Sequence, residues 1–401
     1  MDGPGGTGKT FVYNTLARIV RGQQRRVVMV ASTGIAATLL PGGRTAHACF
    51  HIKGPLHDNS SCCPKLGTRE AGTLRIADLI IWDEASMAHA YAIQAVDKGL
   101  KDLMNNWSMP FGGKVVVLGG DFRQTLPVVR GGTESETVAA SIKRSRLWQE
   151  FRQLRLTENM RAGLREHEFA EWLLQLGEGR LGSDGQVEVP PECISQGNLI
   201  DETFASALQD PRALAGCAIL APTNEQALTI NDKVLRLLHG EERVYLSVDR
   251  VECDDESEAN TYPLEFLHDQ TPTSMPPHKL CLKVGAVVVI LRNLSLQQGL
   301  CNGTRLKVTA LYPNVIMGEI LTGERVGERV LLPKIDLYTS DDDHVPFRLH
   351  RRQFPVRLGF AMTINKSQGQ TFDKVGFTCL NLSFHMVSST LVCPASAPLT
   401  T

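Results

Sequence analysis

The chain has 401 residues, with 42 Lys and Arg against 43 Asp and Glu and a formal net charge of −1. That length allows two or three domains with cores of their own, and the balanced charge excludes a uniformly basic protein, so any nucleic-acid contact must come from a locally basic groove. Ten cysteines without a C-x-x-C pair exclude a zinc ribbon and a disulfide scaffold and point to reduced thiols in an intracellular compartment, and no run of about twenty apolar residues offers a membrane span.

MDGPGGTGKT opens the chain and reads directly as a phosphate loop rather than as a signal peptide. Gly3, Pro4, Gly5, Gly6, Thr7, Gly8, Lys9 and Thr10 fit G-x-x-x-x-G-K-[ST]. The glycines let backbone N–H groups turn inward, and the helix that follows presents its positive end to the same phosphates. Lys9 is placed for the β- and γ-phosphates of ATP, and the Thr10 hydroxyl for Mg²⁺. Phe11, Val12, Leu16, Ile19 and Val20 then follow at helical spacing, which a chance glycine-rich turn would not supply.

VVMVAS, after Arg25 and Arg26, reads as a buried parallel strand and TGIAATLL as the returning helix, one βαβ step of a doubly wound sheet. Residues 44–73, rich in Cys, Gly, Pro, Ser and His, are expected to be an irregular surface insertion. LIIWDEASM at 79–87 is a second apolar strand ending in Asp83 and Glu84, at the sheet edge where open α/β sheets place ligands. Asp83 suits the Mg²⁺ shell and Glu84 suits polarisation of an attacking water; without the phosphate loop upstream, a solvated strand end would serve as well.

KVVVLGGDF gives a third strand, and Gln124 beyond it is an amide that senses a γ-phosphate, aligns water or caps a loop. In LRLTENMRA, Arg161 is a candidate for the transition-state charge, or else a solvated surface residue. A second unit begins near residue 165, with a helix in HEFAEWLLQLGEGRLG, the buried strand CAILAPTN and a helix ending at Gly240. From Val244 the pattern becomes short β-like runs at 280–292, 304–311, 314–320 and 329–337, which predict a small β-barrel. FPVRLGFAMTINKSQGQTF at 354–372 resumes the α/β pattern. The expected division is 1–163, 164–243, an inserted barrel-like domain at 244–350, and 351–401 with an atypical tail.

GPGGTGKTF, ASTGIAA with GGRTAHACF, IIWDEASM, GGDFRQTLPV, LTENMRA, APTN and MTINKSQGQTF occur in the order of the Pif-one-like helicases, which the chain resembles from residue 2 to about 377. LKVGAVVVILRNLSLQQGLCNGTRL and RRQFPVRLGFAMTINKSQGQTF look most like the branch carried by rolling-circle Helitron transposons. The resemblance implies an α/β P-loop NTPase with two RecA-like domains around ATP and Mg²⁺, with Lys9, Glu84, Gln124 and Arg161 catalytic and Thr10 and Asp83 on the metal. It also implies 5′-to-3′ movement on single-stranded DNA and unwinding of 5′-tailed duplex. The processes implied are DNA repair, recombination, telomere maintenance or transposon replication, in the nucleus or mitochondrion.

By the same resemblance Thr33, His47, Phe50, Thr363 and Lys366 are the DNA-contact candidates. His47 and Phe50 either stack on bases or anchor a loop by packing. Two departures read as an incomplete copy. The family has a buried strand before the phosphate loop, with a glutamine that reads adenine, and a later segment close to YVALSR that carries a second arginine finger. Here no Arg follows Arg357 and no Lys follows Lys374. A remnant that binds ATP and single-stranded DNA without efficient hydrolysis is the alternative. Oligomeric state and host process are not legible.

Overall fold

The computed structural model describes the whole chain except residues 125, 130, 162–166, 182–186, 188, 209–210, 253–261, 273, 296–297, 324, 340–346, 379–390 and 395–401. The atypical tail from His385 therefore lies outside the described residues, apart from 391–394. The chain forms two compact units, Met1–Leu181 and Gly182–Thr401.

The first unit is built on a parallel sheet of β1 (Val27–Ala31), β2 (Arg44–Thr45), β3 (Leu79–Asp83) and β4 (Val115–Leu118), in the order β2-β1-β3-β4. All five residues of β3 are buried, as expected of a strand covered on both faces. Alternation sends Leu79 and Ile81 into a core with Tyr13, Met29 and Ala31, and Ile80 and Trp82 into another with Val30, Phe50, Ile93 and Leu100. The helices that supply these cores are α1 (Lys9–Gly22), α2 (Gly34–Thr38), α3 (Ala46–Phe50), α4 (Arg69–Ile76) and α5 (Ala90–Met104).

Threonine side chains start three of them. The hydroxyls of Thr33, Thr45 and Thr68 accept the amides of Ala36, Ala48 and Ala71 at 3.2, 3.3 and 3.2 Å. The segment expected to be an irregular insertion thus begins inside the fold: Arg44 and Thr45 pair with β1, and Ala46, Cys49 and Phe50 of α3 are buried. At the far edge Asp2 bridges in parallel to Gly120 and Arg155, and a groove of about 540 Å³ lined by Val116, Leu118, Phe122, Trp148, Phe151 and Leu154 lies beside it.

The second unit has its own sheet, ordered β16-β5-β17-β18, in which fully buried β5 (Cys217–Ala221) runs parallel to β16 (Ala361–Thr363) and β17 (Lys374–Phe377). β18 (Leu391–Pro394) is antiparallel to β17. Among the described residues ten strands lie between β5 and β16 in the sequence: β6 (Arg243–Leu246), β7 (Val248–Glu252), β8 (Lys279–Leu282), β9 (Val287–Ile290), β10 (Arg305–Leu311), β11 (Val315–Ile320), β12 (Arg329–Pro333), β13 (Ile335–Tyr338), β14 (Arg348–Gln353) and β15 (Val356–Leu358). They pair as three antiparallel sheets, β12-β11-β10-β9-β15, β13-β14-β7 and β6-β8. The runs read at 280–292, 304–311, 314–320 and 329–337 all contain strands.

Candidate nucleotide site

The phosphate loop leaves the sheet edge at Asp2 and enters α1 at Lys9. Gly6 and Gly8 hold φ of 81° and 82°, the left-handed region in which glycine is unstrained. Nothing lies within 4 Å of where a side chain would stand at Gly5 or Gly8, so that side of the loop is open. Inside, the buried Thr7 hydroxyl donates to the Pro4 carbonyl at 2.8 Å and closes the turn. Lys9 Nζ donates to the carbonyls of Gly3 and Pro4 at 2.7 and 3.1 Å, so its ammonium is folded back on the loop. Thr10 follows on the first turn of α1, half-buried.

Arg161 is brought to this loop by backbone contacts. The Met160 amide donates to the Gly6 carbonyl at 2.9 Å, and the Arg161 amide to Asn159 Oδ1 at 2.9 Å. A β-carbon added at Gly6 would come within 2.9 Å of Arg161 Cβ, so Gly6 lets the two segments touch. The Arg161 side chain itself is exposed at the rim.

The end of β3 supplies the carboxylates. Ala31 and Asp83 are partners in the β1–β3 ladder, so these strands finish level. Asp83 is buried, and its Oδ1 accepts the Glu84 amide at 2.9 Å. Glu84 sits at φ 52°, a left-handed conformation that is costly for a residue with a side chain and that concentrates at functional sites. Burial pushes the Glu84 carboxyl up to about 7, Asp83 and Asp121 add to the rise, and Lys9 opposes it. Burial also raises Asp83, against the pull of the Glu84 amide and of Lys9. Three carboxylates therefore interact around one ammonium, and buried Glu84 Oε2 has no hydrogen-bond partner. That donor set, all oxygen and in excess negative charge, suits a hard divalent cation.

Gln124 is exposed, with Nε2 donating to Asp121 Oδ2 at 3.2 Å. Asp121 and its neighbour Arg123 were not singled out from the sequence. Asp121 is buried, and Arg123 lies 3.2 Å from Glu178 and 3.6 Å from both Asp2 and Asp121. Their signal in the sequence is the GGDFRQ run itself, a charged pair beside Gln124 at a strand end.

The DNA-contact candidates divide. Phe50 is withdrawn: it is completely buried and stacks on Trp82 with ring centroids 5.5 Å apart, leaving no face for a base. His47, on the other side of α3, is exposed. Thr33 is half-buried, its hydroxyl engaged as the cap of α2. In the second unit Thr363 ends β16 and precedes the short helix Ile364–Ser367 without capping it, and Lys366 on that turn is exposed. Among the described residues no helix is long and apolar enough to cross a membrane.

Residues 1–186 match the family model of PIF1-like helicases, and residues 265–311 match that of the 2B domain of the DNA helicase Pif1. Among curated proteins the chain is 28% identical over 393 residues to the human ATP-dependent DNA helicase PIF1, covering 93% of this chain and 53% of that protein. The chain thus spans about half the length of the curated relatives it matches. Among solved structures it resembles Bacteroides Pif1 bound to single-stranded DNA, at 25% identity and TM-score 0.63, over 93% of this chain and 80% of that one. It also resembles the Pif1 of a complex in which two coordinating Pif1 helicases unwind forked duplex DNA, at 25% identity and TM-score 0.65, with the same coverage.

Proposed function

We infer that this chain, whose two family-model matches and relatives support membership of the PIF1-like helicase family and an α/β P-loop helicase fold, is the motor of an ATP-dependent DNA helicase. It couples ATP hydrolysis to 5′-to-3′ translocation on single-stranded DNA and to unwinding of 5′-tailed duplex. The observation that carries this reading is the contact of the Arg161 segment with the phosphate loop, in the same unit as Asp83 and Glu84.

In this reading Lys9 exchanges the carbonyls of Gly3 and Pro4 for substrate phosphate at the open side of the loop. Thr10 and Asp83 would hold Mg²⁺, which when bound neutralises triphosphate charge. Glu84 takes the proton of the attacking water, Gln124 orients that water, and Arg161 meets charge that builds up on the transferred phosphoryl group. Thr33 and His47 contact DNA from the first unit, and Thr363 and Lys366 from the second. Residues 1–163 form one RecA-like domain, while 164–243 and 351–401 form the other around a barrel-like insertion at 244–350. The wording of 282–306 and 351–372 favours the Helitron branch, and repair, recombination, telomere maintenance or transposon replication in the nucleus or mitochondrion are the processes that fit.

The test pairs two variants. Lys9→Ala should abolish DNA-stimulated ATP turnover while the fold persists. Glu84→Gln should keep ATP binding and lower turnover by about 10² to 10⁴-fold, the range for a lost general base. DNA-stimulated turnover that persists in Lys9→Ala would overturn the motor reading.

A further inference from the structure

We propose that Tyr13 is a positioning residue for the nucleotide site, its hydroxyl fixing the Asp83 carboxylate in the orientation that receives the divalent cation. The proposal rests on the nucleotide-site reading above and adds to it a residue from the helix behind the loop. Tyr13 follows Lys9 by four positions on α1, so both lie on one side of that helix, Lys9 at the loop and Tyr13 one turn below it. Along β3 the alternation that sends Leu79 and Ile81 toward the core containing Tyr13 sends Asp83 the same way. Helix and strand thus aim a phenol and a carboxylate at each other from opposite sides of one core.

The ring alone would satisfy the packing. Tyr13 is completely buried among Met29, Ala31, Leu79 and Ile81, apolar neighbours that Phe would contact equally well. The hydroxyl is what packing leaves unexplained, because a buried polar group without a partner destabilises the fold. Its oxygen is buried, and the polar side chain it meets is the Asp83 carboxylate. The carboxylates that face it are those of Asp83 and then Glu84, and neither can donate when ionised, so the phenol is the donor of the pair.

The space around the oxygen is also reserved for it. A β-carbon at Gly119 would collide with the Tyr13 hydroxyl. Gly119 is pinned there between the ends of β3 and β4, its amide donating to the Trp82 carbonyl and its carbonyl accepting the Ala85 amide, each at 2.8 Å. The Gly119 backbone does not itself require glycine, since its φ is not in the left-handed region. Glycine is there for room. One Asp83 oxygen already accepts the Glu84 amide, so a second donor from α1 stops the carboxylate from rotating away from the site. Groups that hold a metal ligand from behind change metal affinity by about 10 to 100-fold when removed.

The experiment uses the full chain and Mn²⁺ as the probe cation, titrated by electron paramagnetic resonance with a non-hydrolysable ATP analogue present. Tyr13→Phe should raise the Mn²⁺ concentration for half-saturation about 10-fold. Metal-free binding of the analogue should stay unchanged and thermal stability equal or higher. Gly119→Ala, which crowds the hydroxyl without deleting it, should shift the Mn²⁺ midpoint in the same direction. An unchanged midpoint in Tyr13→Phe would overturn the proposal, and so would a parallel loss of metal-free analogue binding, which would mark a merely structural role. Lys9→Ala separates the two levels. If it abolishes analogue binding while Tyr13→Phe leaves the Mn²⁺ midpoint in place, the site stands and the role of Tyr13 falls.

Discussion

Phe50 and Trp82 meet across the boundary between α3 and β3, and the pair shows how a residue suited to one task is taken by another. Two large rings removed from water together contribute burial and a stacking term that an exposed loop ring would not gain. Phe50→Ala should cost about 3 to 5 kcal/mol of stability, seen as a lower thermal midpoint, while affinity of the folded protein for single-stranded DNA is unchanged. Native stability with weakened DNA binding would restore Phe50 to the DNA surface. The burial was encoded locally, since Thr45 caps and Ala46, Cys49 and Phe50 follow at i, i+3 and i+4 from Ala46. The Cys, Gly, Pro, Ser and His content of residues 44–73 as a whole makes the segment read as loop. That Lys9, Asp83 and Glu84 come together was legible because the phosphate-loop pattern and the end of an apolar strand restrict both residue type and position, whereas the Tyr13 hydroxyl sits in an apolar stripe that predicts only core.

Among the secondary elements, β7, β14 and the segment 264–278 are joined by one buried ion pair. Arg351 and Asp249 are direct cross-strand partners, both fully buried, with Nε and Nη2 at 2.9 and 2.6 Å from the two carboxylate oxygens. The remaining guanidinium donors take the carbonyls of Leu267, Gln270 and Pro276. Asp249, His268 and His278 come near enough to suggest a metal cluster, but Arg351 already engages both oxygens of Asp249. His278 stacks on His268 with centroids 3.6 Å apart, its Nδ1 2.8 Å from Ser247 Oγ and 3.7 Å from Asp249. Burial, then His268 and Arg351, pull its pKa below the usual value, while Asp249 pulls the other way. The folded state therefore prefers neutral His278. Its contribution is complete above the unfolded-state value near 6.5 and is lost as pH falls through the lower folded value. The urea midpoint should drop between pH of about 7.5 and about 5, and His278→Gln should flatten that drop. An unaltered slope in the variant would assign the drop to other groups. None of this was legible, because VDRVE is too charged to read as a strand and its pairing with β14 spans about a hundred residues.

For the molecule as a whole, the alternation of apolar strands and amphipathic helices was enough to read two α/β units and the place where β-rich sequence interrupts the second. What the pattern did not carry is how firmly that β-rich sequence is joined to its host. One continuous core holds Ile219, Ala221, Phe360 and Ala361 from the parallel sheet together with Val288, Ile290, Leu306, Val308 and Ile316 from the antiparallel strands. Arg305 crosses the same junction. From β10 its guanidinium donates to the carbonyls of Ala215, Cys217 and Gly359 at 2.6, 2.9 and 3.2 Å, and it lies 5.0 Å from the centre of the Phe372 ring. It is almost fully buried, and burial pulls its pKa down to about 10, a cost offset by three charge-assisted bonds and an aromatic face. A domain inserted through flexible linkers would show neither a shared core nor a buried cation bonded to its host's backbone. The second unit should therefore open as one cooperative body. In native-state hydrogen exchange, amides of β10 and β11 should share their opening free energy with those of β5. Arg305→Met leaves three buried carbonyls without their donor and should lower both sets together, by about 3 kcal/mol or more. If β10 and β11 keep their protection while β5 alone loses it, the antiparallel sheets form a separate cooperative domain, and the core shared across the junction does not couple them.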